Sequence, residues 1–201
     1  MKSPSTQGYS ETAEALAASY ESREFADVHR HMAHLFPKAP AMILDIGAGT
    51  GRDAAGFAAA GHTVIAVEPV DAFRLLAARL HPDPAITWID DGLPQLATIV
   101  GRAHKFDLIM MTAVWMHLDL AERQTAMPVI ARLLKPAATL ILSLRHGPVP
   151  SGRRMFDVTA TETIALAATC GMTPTLCLLD QASNFGKPDV TWTKLALTLA
   201  V

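Results

Sequence analysis

Apolar and polar positions along the 201-residue chain follow two successive patterns. Between Glu11 and Phe36 the apolar residues Leu16, Tyr20, Val28, Met32 and Leu35 recur at steps of three, four or eight. That spacing keeps one face of a helix apolar and predicts a helical segment, broken near Ser22 and ended by Pro37 and Pro40. The first eight or so residues are polar and are expected to fray. From Ala41 onward short apolar runs alternate with amphipathic stretches. AMILDIG, TVIAVEP, AITWID, FDLIMMTAV and ATLILSL read as buried strands. Between them, GRDAAGFAAAG reads as a helix ended at Gly61, and AFRLLAARLH as one capped by Asp71 and stopped before Pro82. A further helix is expected from a cap at Asp119 to Leu134, kinked or broken at Pro128. Thr159 and Glu162 form a capping box for TETIALAATC, which Gly171 ends. PTLCLLD and VTWTKLALTLA are the last two strands.

Strands alternating with helices predict a parallel sheet covered on both faces. The last two strands are joined by a loop from Gln181 to Asp189 with no helix, so that pair is expected to be antiparallel. The chain divides into an N-terminal helical segment, residues 1–40, and one α/β domain, residues 41–201.

Composition narrows the choice of function. Hydrophobic residues make up 50% and charged residues 18%, as in a globular domain. A formal net charge of −2 gives no basic field to draw nucleic acid or an anionic membrane. Cys170 and Cys177 are the only cysteines, which excludes a disulfide scaffold and agrees with a reducing cytoplasm. The start of the chain has no signal-peptide core, and no apolar run approaches the roughly 20 residues of a membrane helix.

The chemistry concentrates in LDIGAGTGRDAAGFAAAGHTVIAVEP. Asp45 ends a strand, and Gly47, Gly49 and Gly51 fill the turn into a helix, where a side chain would obstruct both the turn and a ligand lying on the backbone. Glu68 ends the next strand and is placed to accept from both ribose hydroxyls of a nucleoside. The dinucleotide fingerprint would have a third glycine where Arg52 stands. An arginine there crowds a pyrophosphate but not an amino-acid-bearing nucleoside.

These motifs resemble those of class I S-adenosylmethionine-dependent methyltransferases. LDIGAGTGRD followed by AVEP is similar to the family's glycine-rich motif and acidic loop, WIDDGLPQL to its third motif and FDLIMMTAVWMHL to its fourth. LLKPAATLILSL is similar to a motif usually written LLKPGG, with Ala137 and Ala138 in place of both glycines. The resemblance is strong from Ala41 to Leu144. It implies a Rossmann-like, seven-stranded, mostly parallel sheet with the last strand antiparallel, helices on both faces, and an N-terminal helical lid. It implies S-adenosylmethionine as cofactor and S-adenosylhomocysteine as product. Gly47, Gly49 and Gly51 would pass under the methionine part, with Asp45 holding the turn or the cofactor's ammonium. Glu68 would bind the ribose, and Asp90 or Asp91 the adenine amino group, with Asp90 favoured. Ala48, Pro69, Thr112 and Trp115 would line the same pocket, and Arg52 and Asp53 would reach the amino-acid end or pair with each other. Tyr20 resembles the tyrosine that covers the cofactor from the N-terminal helix.

The rest of the site concerns the acceptor. His117, after the fourth strand, is the first choice for a general base, and His146, after the fifth, the second. Arg145, Arg153 and Arg154 could grip an anionic group on a small-molecule acceptor, or pair with Asp157, Asp180 or Asp189 and pin their loop. His29, His31 and His34 do not share one helical face and lack a completing carboxylate or cysteine, so no metal is expected. Two cysteines cannot hold an iron–sulfur cluster, which excludes the radical branch of this cofactor's chemistry. A nicotinamide-dependent oxidoreductase and a non-catalytic cofactor-binding protein are the alternatives.

Overall fold

The computed structural model describes residues 6–9, 13–38 and 40–201. The polar start, residues 1–5, and the expected helix start at Glu11 lie outside the described residues. The N-terminal segment is three short pieces and not one helix: α1 (Ala13–Glu21), α2 (Phe25–His29) and a 3-10 turn at Ala33–Leu35. The expected break falls at Ser22–Glu24. It lets α1 pack Ala13 against Val70 and Phe73, while α2 turns Phe25 into the rings of Phe36 and Phe57.

The remainder alternates β1 (Met42–Ile46), α3 (Arg52–Ala59), β2 (Thr63–Val67), α4 (Asp71–Leu80), β3 (Ile86–Ile89), α5 (Ala97–Gly101), β4 (Phe106–Met111), α6 (Leu120–Leu133), β5 (Leu134–His146), α7 (Ala160–Ala168), β6 (Met172–Ala182) and β7 (Thr191–Leu199). The seven strands form one sheet in the order β3-β2-β1-β4-β5-β7-β6. β7 runs antiparallel to both of its neighbours, and the pairs among β1 to β5 are parallel. This is the seven-stranded Rossmann-like arrangement expected, with β7 inserted between β5 and β6.

Local chemistry explains most boundaries. Asp119 accepts from Glu122 N and the Glu122 carboxylate accepts from Asp119 N, a complete capping box that starts α6. Helix α6 runs through Pro128 without interruption. At α7 only half the expected box forms: Thr159 accepts from Glu162 N, but the Glu162 carboxylate is drawn to Arg123. Asp71 is not a cap either; it is the first residue of α4, and its carboxylate pairs with Arg74. Helix α5, unforeseen from the sequence, is one short turn held by Ile99 N donating to Asp91. Strand β5 begins immediately after α6, earlier than expected. Its ladder with β4 breaks between Leu134 and Thr139, where Ala137 takes a φ of 62°.

Two apolar layers cover the sheet. One face carries Leu142, Leu144, Leu195 and Leu197 toward α6 and α7. The other carries Ile43, Leu108, Met110, Ile141 and Ala196 toward α3 and the N-terminal segment. On that second face, the side chains become polar near the carboxyl ends of the strands. Ile141 is followed two residues on by Ser143 and then Arg145; on β7, Ala196 is followed in space by Lys194 and then Trp192.

Candidate active site

A cavity of about 400 Å³ opens where those polar side chains begin. Its position at the carboxyl ends of parallel strands is where open α/β sheets bind ligands. The loops after β1, β2 and β4 form its floor, and the N-terminal segment and the β6–β7 loop close it over.

The glycine turn is built for close approach. Gly47 (φ 70°) lies under Val114, whose Cγ2 would stand 2.5 Å from an added Cβ. Gly49 (φ 58°) has open space there, so its backbone faces the cavity. Glu68 is buried beside it: one carboxylate oxygen accepts from Gly49 N at 2.8 Å and the other from Val70 N at 2.8 Å. Each oxygen keeps a lone pair for a further donor. Burial raises the Glu68 carboxyl to about 7, although the two amide bonds work against that rise.

Asp45 is fully buried, and its Oδ2 has no hydrogen-bond partner among the described residues. Burial, and then the nearby Asp53 charge, hold its carboxyl well above the ordinary range. Asp53 goes the other way. Burial alone would raise it, but His29 Nε2 (2.9 Å), Arg52 and the Thr112 hydroxyl (2.6 Å) all bind its oxygens and hold it well below the usual carboxylate range. Arg52 also donates to Tyr20 O at 3.3 Å, tying the glycine turn to α1.

The cavity is lined by Tyr20, Asp45, Gly47, Ala48, Gly49 and Arg52. Asp53, Glu68, Pro69, Thr112, His117, Arg145 and Arg153 complete the expected residues that reach it. Several expected residues do not, and each has a local reason. Gly51 caps α3 and faces the rings of Trp88 and His81. Asp90, favoured for adenine, points to solvent with a side chain 66% exposed and pairs with Arg74 at 3.3 Å. Asp91 spends its carboxylate on Gly92 N and Ile99 N. Trp115 is 0% exposed and packs with Met116 and Leu118 in the apolar core on the face toward α6 and α7. His146 follows Arg145 on β5, so it projects to the opposite face, where it bonds Thr193 at 2.9 Å. Arg154 is held by Asp119 at 2.9 Å and Glu122 at 2.7 Å, a pinned loop with carboxylates other than those anticipated.

His117 is buried at the cavity wall. Its Nδ1 lies 2.8 Å from the Arg154 carbonyl, which only accepts, so Nδ1 carries the proton. Its Nε2 then accepts from the Tyr9 hydroxyl at 3.0 Å. Burial, and behind it the charges of Arg153, Arg154 and Arg145, lower its pKa below the ordinary imidazole value.

Sequence reasoning missed several residues of this wall, among them Tyr9, Lys194 and Ser143. Tyr9 borders the first eight or so residues, which were expected to fray, and no local pattern marks it. Lys194 and Ser143 did carry a signal: both are polar residues at the period-two positions of apolar strands, on the face where β5 and β7 pair Ser143 with Lys194.

Residues 43–137 match the family described as a methyltransferase domain, a span that includes the glycine turn, Glu68 and His117. Comparison with curated proteins gives no match. Among solved structures, a methyltransferase from Methanosarcina mazei superposes with a TM-score of 0.69 at 18% identity, covering 84% of this chain and 96% of that one. N-methyltransferase NodS from Bradyrhizobium japonicum, with S-adenosylhomocysteine, gives 0.69 at 16% identity, covering 94% and 97%. The 1,6-didemethyltoxoflavin-N1-methyltransferase of Burkholderia thailandensis, with its substrate and S-adenosylhomocysteine, gives 0.63 at 20%, covering 100% and 92%. The structural likenesses establish the fold, and the family match covers the strand ends that build the cavity. Residues 43–137 thus match a methyltransferase-domain family, and the seven-stranded arrangement around them is the fold of these solved methyltransferases, two of which hold S-adenosylhomocysteine, the product form of S-adenosylmethionine. The residues of this chain fit that cofactor: an open glycine backbone, a buried Glu68 with lone pairs to spare, and the orphaned Asp45 Oδ2, suited to an ammonium.

Proposed function

We propose that the acceptor is a small molecule carrying an anionic group, held by Arg145 and Arg153 at the cavity mouth, and that residues 1–40 act as the lid of the site. The observation behind this reading is that both arginines and Lys187 line the cavity that the glycine turn and Glu68 also line, in a chain of formal net charge −2. Guanidinium groups offer paired donors that match carboxylate or phosphate oxygens.

When bound, S-adenosylmethionine supplies a methyl group already made electrophilic by its sulfonium. The protein then has to orient and to manage protons. Glu68 accepts from the ribose hydroxyls, and Asp45 Oδ2 receives the ammonium. Arg145 and Arg153 fix the acceptor's charged end, which sets its nucleophilic atom in line; such positioning contributes roughly 7–11 kcal/mol in well-oriented systems. Where the nucleophile is a hydroxyl or an ammonium, its proton passes to the Tyr9 hydroxyl as that hydroxyl gives its own proton to His117 Nε2. Burial and the three nearby arginines keep its imidazole neutral and ready to accept one. Tyr9 and Tyr20, on the N-terminal segment, cover the chamber and exclude water.

The test is a methyl-transfer assay on paired acceptors, each carboxylate or phosphate set against its neutral amide or ester. The anionic member should be preferred, and Arg145→Ala should raise its KM by about tenfold or more without changing cofactor affinity. Equal rates for both members of every pair would end this reading.

A further inference from the structure

Lys194 is buried in the middle of β7 with only 9% of its surface exposed, and its side chain lines the cavity. Lysine is almost never buried this deeply unless paired. Its Nζ donates one hydrogen bond, to Val28 O at 2.9 Å, and makes no ion pair among the described residues. An ammonium has three protons to give, so two donors remain. The carboxylate whose charge acts on it is Asp53, whose oxygens are already taken by His29, Arg52 and Thr112. Burial accordingly lowers the Lys194 pKa, with Asp53 opposing and Arg52 and Arg30 adding to the fall.

The surroundings give this donor a direction. Ser143 pairs directly with Lys194 across the β5–β7 ladder, and Arg145 pairs with Trp192. Direct partners share a face, so Ser143 and Arg145 stand on the same side as Lys194, with Arg145 diagonal to it at roughly 7–8 Å along the sheet. The Ser143 oxygen accepts from Ala113 N at 2.9 Å, which leaves its hydroxyl proton to give. Two donors of different kinds thus stand together on the sheet side of the cavity, more deeply buried than Arg145 and Arg153. A role as a tether for α2 accounts for one of the three protons of Lys194 and not for the others.

We propose that Lys194, with Ser143 beside it, is an oxyanion-recognition site on the sheet side of the acceptor chamber. This rests on the reading of an anionic acceptor and moves its deepest charged contact from the rim to β7. A carboxylate or a phosphate oxygen shares the chemistry required, and the two are separated by the probes.

The probes are sodium acetate and inorganic phosphate, titrated at constant ionic strength into the S-adenosylhomocysteine-loaded full chain with ¹⁵N-labelled lysine. The Lys194 Nζ resonance should shift saturably with one or both anions, at lower concentration than any other lysine resonance. Acetate alone acting would assign a carboxylate acceptor, and phosphate a phosphorylated one. Lys194→Met should weaken that anion's binding by about tenfold or more while S-adenosylhomocysteine affinity is retained, and Lys194→Arg should restore part of it. A Lys194 resonance unmoved by both anions would overturn the proposal in the wild type, without recourse to a variant. Anion binding lost in Arg145→Ala but kept in Lys194→Met would also overturn it, and would leave the rim reading standing. The reverse pattern supports Lys194 and removes Arg145 from the acceptor site.

Discussion

The Tyr9 hydroxyl donates to Nε2 of His117 at 3.0 Å, joining two residues 108 apart in sequence. The bond connects the N-terminal segment to the turn after β4, and it presupposes one tautomer, because the Arg154 carbonyl at 2.8 Å claims the Nδ1 proton. Arg154 is held in turn by the two carboxylates of the α6 capping box. A helix cap, an arginine, an imidazole and a tyrosine therefore form one hydrogen-bonded chain ending at the cavity.

Tyr9→Phe removes the donor to Nε2 and with it a preference for the neutral ring. The pKa of His117, followed by NMR titration, should rise toward the ordinary imidazole value. Stability should fall by about 0.5–1.5 kcal/mol, the usual net worth of a partly buried hydrogen bond. An unchanged His117 titration would show that the bond does not form in solution.

Glu68 sets a pH dependence whose direction is unusual for a carboxylate. Its ordinary pKa is 4.5, and burial raises it to about 7 in the fold. Between those values the folded protein holds a proton that the unfolded chain has released, so Glu68's contribution to stability is complete below the lower value. It is lost as pH rises toward 7. Free protein should gain urea stability on acidification across this window, and Glu68→Gln should flatten the slope. Ribose hydroxyls favour the carboxylate, so S-adenosylhomocysteine binding near neutral pH should release part of a proton, measurable by calorimetry in two buffers of different ionisation enthalpy. Proton uptake, or the same release from Glu68→Gln, would contradict this assignment.

Arg154→Ala leaves Asp119 and Glu122 without their guanidinium and frees the His117 carbonyl that it also binds. It should cost about 2 kcal/mol of unfolding free energy, in the range of hydrogen bonds to charged groups. Arg145→Ala should change stability little, since its hydrogen bond goes to Gly147 O at 3.3 Å on an exposed strand end. Denaturant melts of the two variants compare them directly, and equal losses would contradict the assignment of Arg154 to the scaffold and Arg145 to the site.

Ala137 occupies a left-handed conformation, φ 62°, at a place where the resemblance would put glycine. That conformation costs a non-glycine residue roughly 1–2 kcal/mol. The side chain is exposed, so Ala137→Gly loses no packing. Part of the strain returns as the greater chain entropy of glycine in the unfolded state, leaving a net gain of about 0.5–1 kcal/mol. A thermal melt lower than wild type would mean that the strand start at Leu134–Ala138 relaxes differently.

What the sequence determined by itself was the order of the strands and the glycine turn facing Glu68, because both rest on local chemistry. Strand ends, a glycine turn and a carboxylate at the tip of β2 are short-range features whose physical requirements show in the residue types. The Asp119–Glu122 capping box was legible for the same reason: donor and acceptor lie three residues apart. Only the tertiary structure decided which polar side chains share a chamber. Arg145 and His146 are adjacent in sequence yet fall on opposite faces of the sheet, and the pleat separates them. Asp90 and Asp91 follow a strand as expected, but Arg74 claims the one and the amides of Gly92 and Ile99 the other. Trp115 turned into the core because burying an indole there outweighs lining a cavity. Tyr9 and Lys194 were brought to the site from the two ends of the chain. Their roles depend on the β5–β7 register and on the path of the N-terminal segment across α4, long-range contacts that no local pattern encodes.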